Sequence, residues 1–172
     1  MRSFNVIGKC IPKESYMVDI SDKLDRIVEL VDNRRYLTIN RARQCGKTTT
    51  LNELKKRLAD EYICASISFQ GVDDESFRTS AAFCSMFLRR VSRAIMLSSS
   101  DKEYAQEWQN GDVLNFNDLD EHITEMCRDK KVVLMIDEVD QTSSNEIFLR
   151  FLGCCGKSSL PVSPKTTTPF IV

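Results

Sequence analysis

Apolar and polar residues are spaced along the chain in a way that predicts helices alternating with short strands. After Ser21, a residue type that often caps helices, Leu24, Ile27, Val28 and Val31 recur at helical spacing. Further helices are predicted after residue 46, at 76–97, from a cap at Asn117, and from a cap at Asn145 to residue 152.

Strands are predicted where β-branched and aromatic residues cluster, at residues 36–39, 62–69 and 132–136. The third of these runs, Val-Val-Leu-Met-Ile, is apolar throughout, which is typical of a strand buried on both faces of a parallel sheet. Strands that alternate with helices predict an α/β layered fold.

Charge and composition exclude several classes of protein. The formal net charge is −1 and the pI is about 5.9, so no broad basic surface indicates nucleic acid. No apolar run is long enough to cross a bilayer, and the N-terminus lacks the apolar core of a signal peptide. A cytoplasmic protein is therefore expected. The seven cysteines have no C-x-x-C spacing, and most are predicted to be small buried apolar residues.

A phosphate-binding loop is predicted at Gly46-Lys47-Thr48, which follows a predicted strand and opens a helix. Glycine lets the backbone approach phosphate oxygens, and the helix N-terminus presents partial positive charge to an anion. The Lys47 ammonium would contact the β- and γ-phosphates, and the Thr48 hydroxyl would bind Mg²⁺. An ordinary helix start with a surface lysine is the alternative interpretation.

The residues around this motif complete the predicted loop. Arg41 stands five residues before Gly46, where the common pattern has glycine, so its turn must use angles that an L-residue tolerates. Arg41 and Arg43 either contact the nucleotide or are solvated. The full set of predicted nucleotide-binding residues is Arg41, Arg43, Gln44, Cys45, Gly46, Lys47, Thr48 and Thr49. Cys45 would also be a reactive thiol, because a helix N-terminus lowers a thiol pKa.

An acidic motif follows the buried strand about 90 residues after the loop, in the order expected of a nucleotide hydrolase. Asp137 would hold Mg²⁺, and Glu138 would activate water for attack on the γ-phosphate, with Lys47 as the other catalytic residue. A strand that simply ends in a polar turn is the alternative. No Asn/Thr-Lys-x-Asp motif for guanine is present, so ATP is the predicted nucleotide.

These motifs together resemble prokaryotic AAA-like ATPases of the origin-recognition and STAND-like branch of P-loop proteins. The resemblance covers roughly residues 1–152 and is carried by Tyr16-Met-Val-Asp19, by Arg-x-Arg-x-x-Gly-Lys-Thr at 41–48, and by Asp-Glu-x-Asp at 137–140. Cys45 departs from the family, which usually has an aromatic residue there. The resemblance implies ATP binding, Mg²⁺-dependent hydrolysis coupled to a conformational change, and a three-layer P-loop fold with a mostly parallel sheet.

The family also implies a later strand, bearing a sensor residue, between the strand before the loop and the strand before Asp137. That strand would lie beyond residue 160 but is not recognisable there, so the sequence predicts a gap in the sheet with open strand edges on both sides. Residues 153–172 are rich in Ser, Thr and Pro and show no helical pattern. The predicted organisation is therefore an N-terminal extension (1–20), a partial ATPase domain (21–152) and an atypical, disordered tail (153–172), as if the sequence were truncated by a frameshift near Gly153.

Two further functions remain open. The chain could be a nucleotide-binding switch or scaffold with little hydrolysis, since the sensor, lid and arginine finger are not recognisable; a partner protein or a missing C-terminal domain would then receive the signal. Nucleic-acid binding has support only from basic pairs such as Arg34-Arg35 and Arg89-Arg90, which are more often solvated.

Overall fold

The computed structural model describes residues 19–33, 35–39, 46–137, 145–158 and 170–171. Its elements follow in the order α1 (Ser21–Asp32), α2 (Lys47–Leu58), β1 (Ile63–Ser68), a 3-10 helix (Asp74–Phe77), α3 (Ser80–Ser98), α4 (Lys102–Glu107), α5 (Phe116–Met126), β2 (Val132–Asp137), α6 (Glu146–Ser158) and β3 (Phe170–Ile171). Helices and strands alternate, which confirms the predicted α/β class. The finer assignment to a three-layer P-loop fold stays a prediction.

The described strands form one parallel sheet in the order β1-β2-β3. The register pairs Ile63 with Val132 at one end of β1 and Ser68 with Asp137 at the other, so both strands end at the same edge. β3 pairs with the opposite side of β2 through Phe170 and Ile171. A short strand beyond residue 160 thus lies beside the strand that carries Asp137, which corrects the expectation that no strand is present there.

Alternate residues of β1 and β2 face two separate apolar clusters, because successive side chains of a strand point to opposite faces. Cys64, Val133 and Met135 belong to the cluster formed with α1 and α2. On the other face, residues such as Ile67 and Leu134 join the larger cluster that α3, α5 and α6 complete. Every residue of β2 from 132 to 136 is buried, as its unbroken apolar run predicts.

Aromatic rings dominate the larger cluster, and Phe83 of α3 lies at its centre. Phe83 is fully buried, and six phenylalanine rings have centroids 5.0–6.4 Å from its own. They come from β1's exit, the 3-10 helix, α3, α5 and α6: Phe69, Phe77, Phe87, Phe116, Phe148 and Phe151. Four of these ring pairs are tilted or edge-to-face and two are stacked. Because the rings come from different elements, the cluster joins segments that are distant in sequence.

Several helix boundaries differ from the prediction, and capping groups account for the differences. The helix expected from residue 76 is divided at Thr79, whose hydroxyl accepts a hydrogen bond from the Ala82 N–H and starts α3 one residue later. α5 is capped by Asn115 rather than Asn117, because the Asn115 side chain accepts bonds from the N–H groups of Asn117 and Asp118. Asn145 caps α6 as predicted.

Two other expectations require correction. Residues 36–39 form an isolated bridge at Leu37 and not a regular strand, because β propensity alone does not fix a continuous ladder of paired residues. Residues 153–158 were predicted to carry no helical pattern, but α6 continues to Ser158 and buries Cys155. Helical packing therefore runs through the predicted boundary at residue 152. The division of the chain into three parts stays a prediction.

The described cysteines are mostly buried, which confirms their interpretation as small apolar residues. Cys64, Cys84, Cys127 and Cys155 are buried, and Cys154 is partly exposed. Burial raises the pKa of the Cys64 and Cys84 thiols to about 11, so both stay protonated and unreactive at neutral pH.

Candidate functional site

Gly46 turns the chain into α2 with a backbone conformation that favours glycine. Its φ of 78° lies in the left-handed region, where a Cβ would add strain. The Gly46 carbonyl accepts two hydrogen bonds, each 2.9 Å long, from the Thr50 N–H and the Thr50 hydroxyl. The turn is therefore fixed by the first turn of the helix that follows it, as the predicted phosphate loop requires.

Thr50 is a supporting residue that the sequence interpretation missed. It is 1% exposed, on the same buried face of α2 as Leu51, Leu54 and Leu58, and its hydroxyl bonds backward along the helix to Gly46. The helical pattern indicated a buried position here, because Thr50 directly precedes Leu51 on the apolar face of α2. A run of three threonines, however, does not show which one points inward.

The N-terminus of α2 suits an anion better than the helix starts that have a side-chain cap. No acidic residue lies in its first turn and no side chain of the described residues caps it, while Lys47 is its first residue. By contrast, α5 has Asp118 in its first turn and a side-chain cap. The first N–H groups of a helix have no acceptor within the helix, and the helix dipole adds partial positive charge there.

The hydroxyl of Thr48 and the carboxylate of Asp137 meet across the fold. Thr48 Oγ1 donates a hydrogen bond of 2.9 Å to Asp137 Oδ2, although the two residues are 89 positions apart in sequence. Thr48 stands in the first turn of α2, and Asp137 ends the buried strand β2. The fold thus joins the two predicted motifs at the carboxyl edge of the parallel sheet, where α/β proteins bind ligands.

The side-chain oxygen atoms of Thr48 and Asp137 are suitable ligands for a magnesium ion. Mg²⁺ prefers oxygen ligands and usually takes one or two from the protein, the rest from water and phosphate. Thr48 supplies a hydroxyl oxygen, and Asp137 supplies a carboxylate whose side chain is only partly buried. Both side chains are held by regular elements, so the pair is positioned before any ion binds.

Five of the predicted site residues fall in the described part of the chain: Gly46, Lys47, Thr48, Thr49 and Asp137. The structure places the first four at the start of α2 and brings Thr48 into contact with Asp137. The other predicted residues lie outside the described ranges: Arg41, Arg43, Gln44, Cys45 and Glu138. Their roles stay predictions.

Two other kinds of feature are absent from the described residues. Within these ranges no group of three or more His, Cys, Asp or Glu side chains is arranged to hold a metal ion. No helix in the described part of the chain is long and apolar enough to span a membrane.

Comparison with known proteins gives one family. A family model described as an AAA-like domain matches residues 16–154, a range that contains the turn at Gly46, the whole of α2 and the strand that ends at Asp137. No curated protein and no solved structure matches the chain.

Proposed function

Because this chain belongs to the AAA-like domain family, we propose that it binds ATP with Mg²⁺ and hydrolyses it, and that this cycle drives a conformational change. The observation that carries the proposal is the Thr48–Asp137 hydrogen bond. It joins the two residues that the motifs assign to Mg²⁺, and it does so beside a helix N-terminus that carries a lysine.

Each residue has a distinct role in the proposed site. Gly46 and the N–H groups that follow it hold the phosphates, and Lys47 neutralises the β- and γ-phosphate oxygens. Thr48 and Asp137 hold the magnesium ion, which would neutralise charge that develops on the phosphates. Glu138 accepts a proton from the attacking water, while Arg41 and Arg43 add positive charge near the nucleotide. Thr49, Gln44 and Cys45 complete the nucleotide-binding loop.

The form of the loop supports a finer family placement. Arginine replaces the first glycine of the common pattern at position 41, which resembles the origin-recognition and STAND-like branch. ATP rather than GTP is proposed because the chain has no guanine-reading Asn/Thr-Lys-x-Asp motif.

A nucleotide-binding switch with little hydrolysis is the second candidate, because the sensor residue, lid and arginine finger that the resemblance implies are not recognisable in the sequence. In that case the bound nucleotide would signal to a partner protein or a further domain by its presence alone.

Phosphate release distinguishes the two candidates. We expect the wild-type chain to release phosphate from ATP with Mg²⁺ and not with EDTA, and Glu138→Gln to be slower by about a hundredfold or more, since general-base catalysis contributes that much. Glu146→Gln is the matched control, because Glu146 is an exposed acid of α6 paired with Arg150. Equal release by wild type and Glu138→Gln would refute hydrolysis by this chain and leave the switch.

A further inference from the structure

A groove is lined by residues of β1, of the segment that follows it and of α3, and by no residue of β2. It has a volume of about 490 Å³ and lies between β1 and α3. Ser66, Ile67 and Ser68 of β1 line one side, and α3 lines the other. It is separate from the Thr48–Asp137 pair, although Ser68 is in register with Asp137 one strand away.

β1 is the edge strand of the described sheet. Its inner edge pairs with β2 over residues 63–68, and no other strand in the described ranges pairs with its outer edge. An edge strand presents a row of backbone N–H and C=O groups that can pair with another extended chain. Peptides are often bound in this way, by adding a strand to an exposed sheet edge.

Three arginines of α3 line the groove. Arg89 and Arg93 are exposed, and Arg90 is held in place because its Nη1 donates a 2.6 Å hydrogen bond to the Ser68 carbonyl. None of the three makes an ion pair with a described carboxylate, although seven such pairs occur elsewhere. Arg89 and Arg93 are four residues apart, so they are neighbours on the helix and repel each other. A bound anion would relieve that repulsion.

The remaining lining of the groove contains apolar and polar residues in similar numbers. Met86 and Ala94 are buried beneath it, and Leu97 is 80% exposed at its end. Asp73 is the one acid among the described lining residues. The described lining residues include no aromatic side chain on which bases could stack, and the chain has a net charge of −1, so these features favour a peptide over nucleic acid.

We propose that this groove binds an extended, acidic segment of a partner protein, which adds a strand to the edge of β1 and sets its carboxylates against Arg89 and Arg93. Alternate residues of an added strand face opposite sides. Every second side chain of the segment therefore faces α3, and acidic residues at those positions meet Arg89 and Arg93. Arginine pairs well with carboxylates because its planar group can donate two parallel hydrogen bonds.

A synthetic fluorescent peptide that alternates valine and glutamate tests this proposal by anisotropy. We expect wild type to bind it, and the double variant R89Q/R93Q to bind about tenfold more weakly, since two exposed charge contacts are lost. The double variant R128Q/R150Q is the matched control, because it removes two exposed arginines outside the groove and should bind like wild type. Hydrogen exchange should slow in residues 63–68 when the peptide binds.

Four results would overturn the proposal: no binding by wild type, equal binding of a peptide with glutamine in place of glutamate, equal weakening by both double variants, or binding without protection of residues 63–68. Tighter binding of a single-stranded oligonucleotide that depends on Arg89 and Arg93 would also overturn it, in favour of nucleic acid. These outcomes are independent of phosphate release, so the proposed ATPase function stands or fails separately.

Discussion

Replacing Lys47 with alanine is expected to abolish ATP binding while leaving the fold intact. The side chain is partly exposed at the start of α2 and lies outside both apolar clusters, so its loss removes charge and little packing. Removing one partner of a close charge pair costs about 2–5 kcal/mol, which corresponds to an affinity loss of about thirtyfold to several thousandfold. Isothermal titration with Mg·ATP measures it directly.

Lys56→Ala is the matched control for that experiment. Lys56 lies in the last turn of the same helix, where its ammonium pairs with Glu53, and it is far along the helix from Gly46. We expect this variant to bind ATP as wild type does. If Lys47→Ala retained the wild-type affinity, the assignment of residues 46–49 as a phosphate-binding loop would be wrong.

Replacing Phe83 with alanine is expected to destabilise the fold by about 3–5 kcal/mol, since a buried phenylalanine leaves a large cavity when it is truncated. Phe83 is fully buried among rings from five segments, so the loss weakens the packing of α3 against α5, α6 and β1 together. Urea unfolding followed by the fluorescence of Trp108, the single tryptophan and a buried one, measures the change.

Two further variants make the Phe83 result interpretable. Phe83→Leu keeps most of the apolar volume and should lose less stability, which covers the case in which Phe83→Ala fails to fold. Leu149→Ala removes a 51% exposed side chain of α6 and should change the free energy of unfolding by no more than about 0.5 kcal/mol. A Phe83→Ala protein as stable as wild type would show that the aromatic cluster does not hold these elements together.

Periodicity predicted the elements that pack most strongly. The apolar run of β2 predicted a strand buried on both faces, and the stripe Leu24, Ile27 and Val31 predicted a helix whose face is buried. Helix starts were harder to predict, because Asn115 and Asn117 are the same residue type two positions apart. Only the direction of the Asn115 side chain toward two N–H groups decides between them.

The sequence predicted that Thr48 and Asp137 act at one site, but it did not predict the hydrogen bond between them. The motifs assigned Thr48 and Asp137 to one ion, but spacing in sequence does not show that a hydroxyl and a carboxylate 89 residues apart are within hydrogen-bonding distance. The groove beside β1 was not predicted. It arises because β1 is the edge strand, and strand order depends on pairing across the whole sheet.

Thermal unfolding with nucleotide tests the central claim that Thr48 and Asp137 form a magnesium-nucleotide site. For wild type, Mg·ATP at about 100 times its Kd should add about 2.7 kcal/mol and raise Tm by about 5–10 °C. ATP with EDTA should raise Tm much less, and Asp137→Asn should lose the difference between the two conditions. A Tm that Mg·ATP leaves unchanged, or raises equally in Asp137→Asn, would contradict the account.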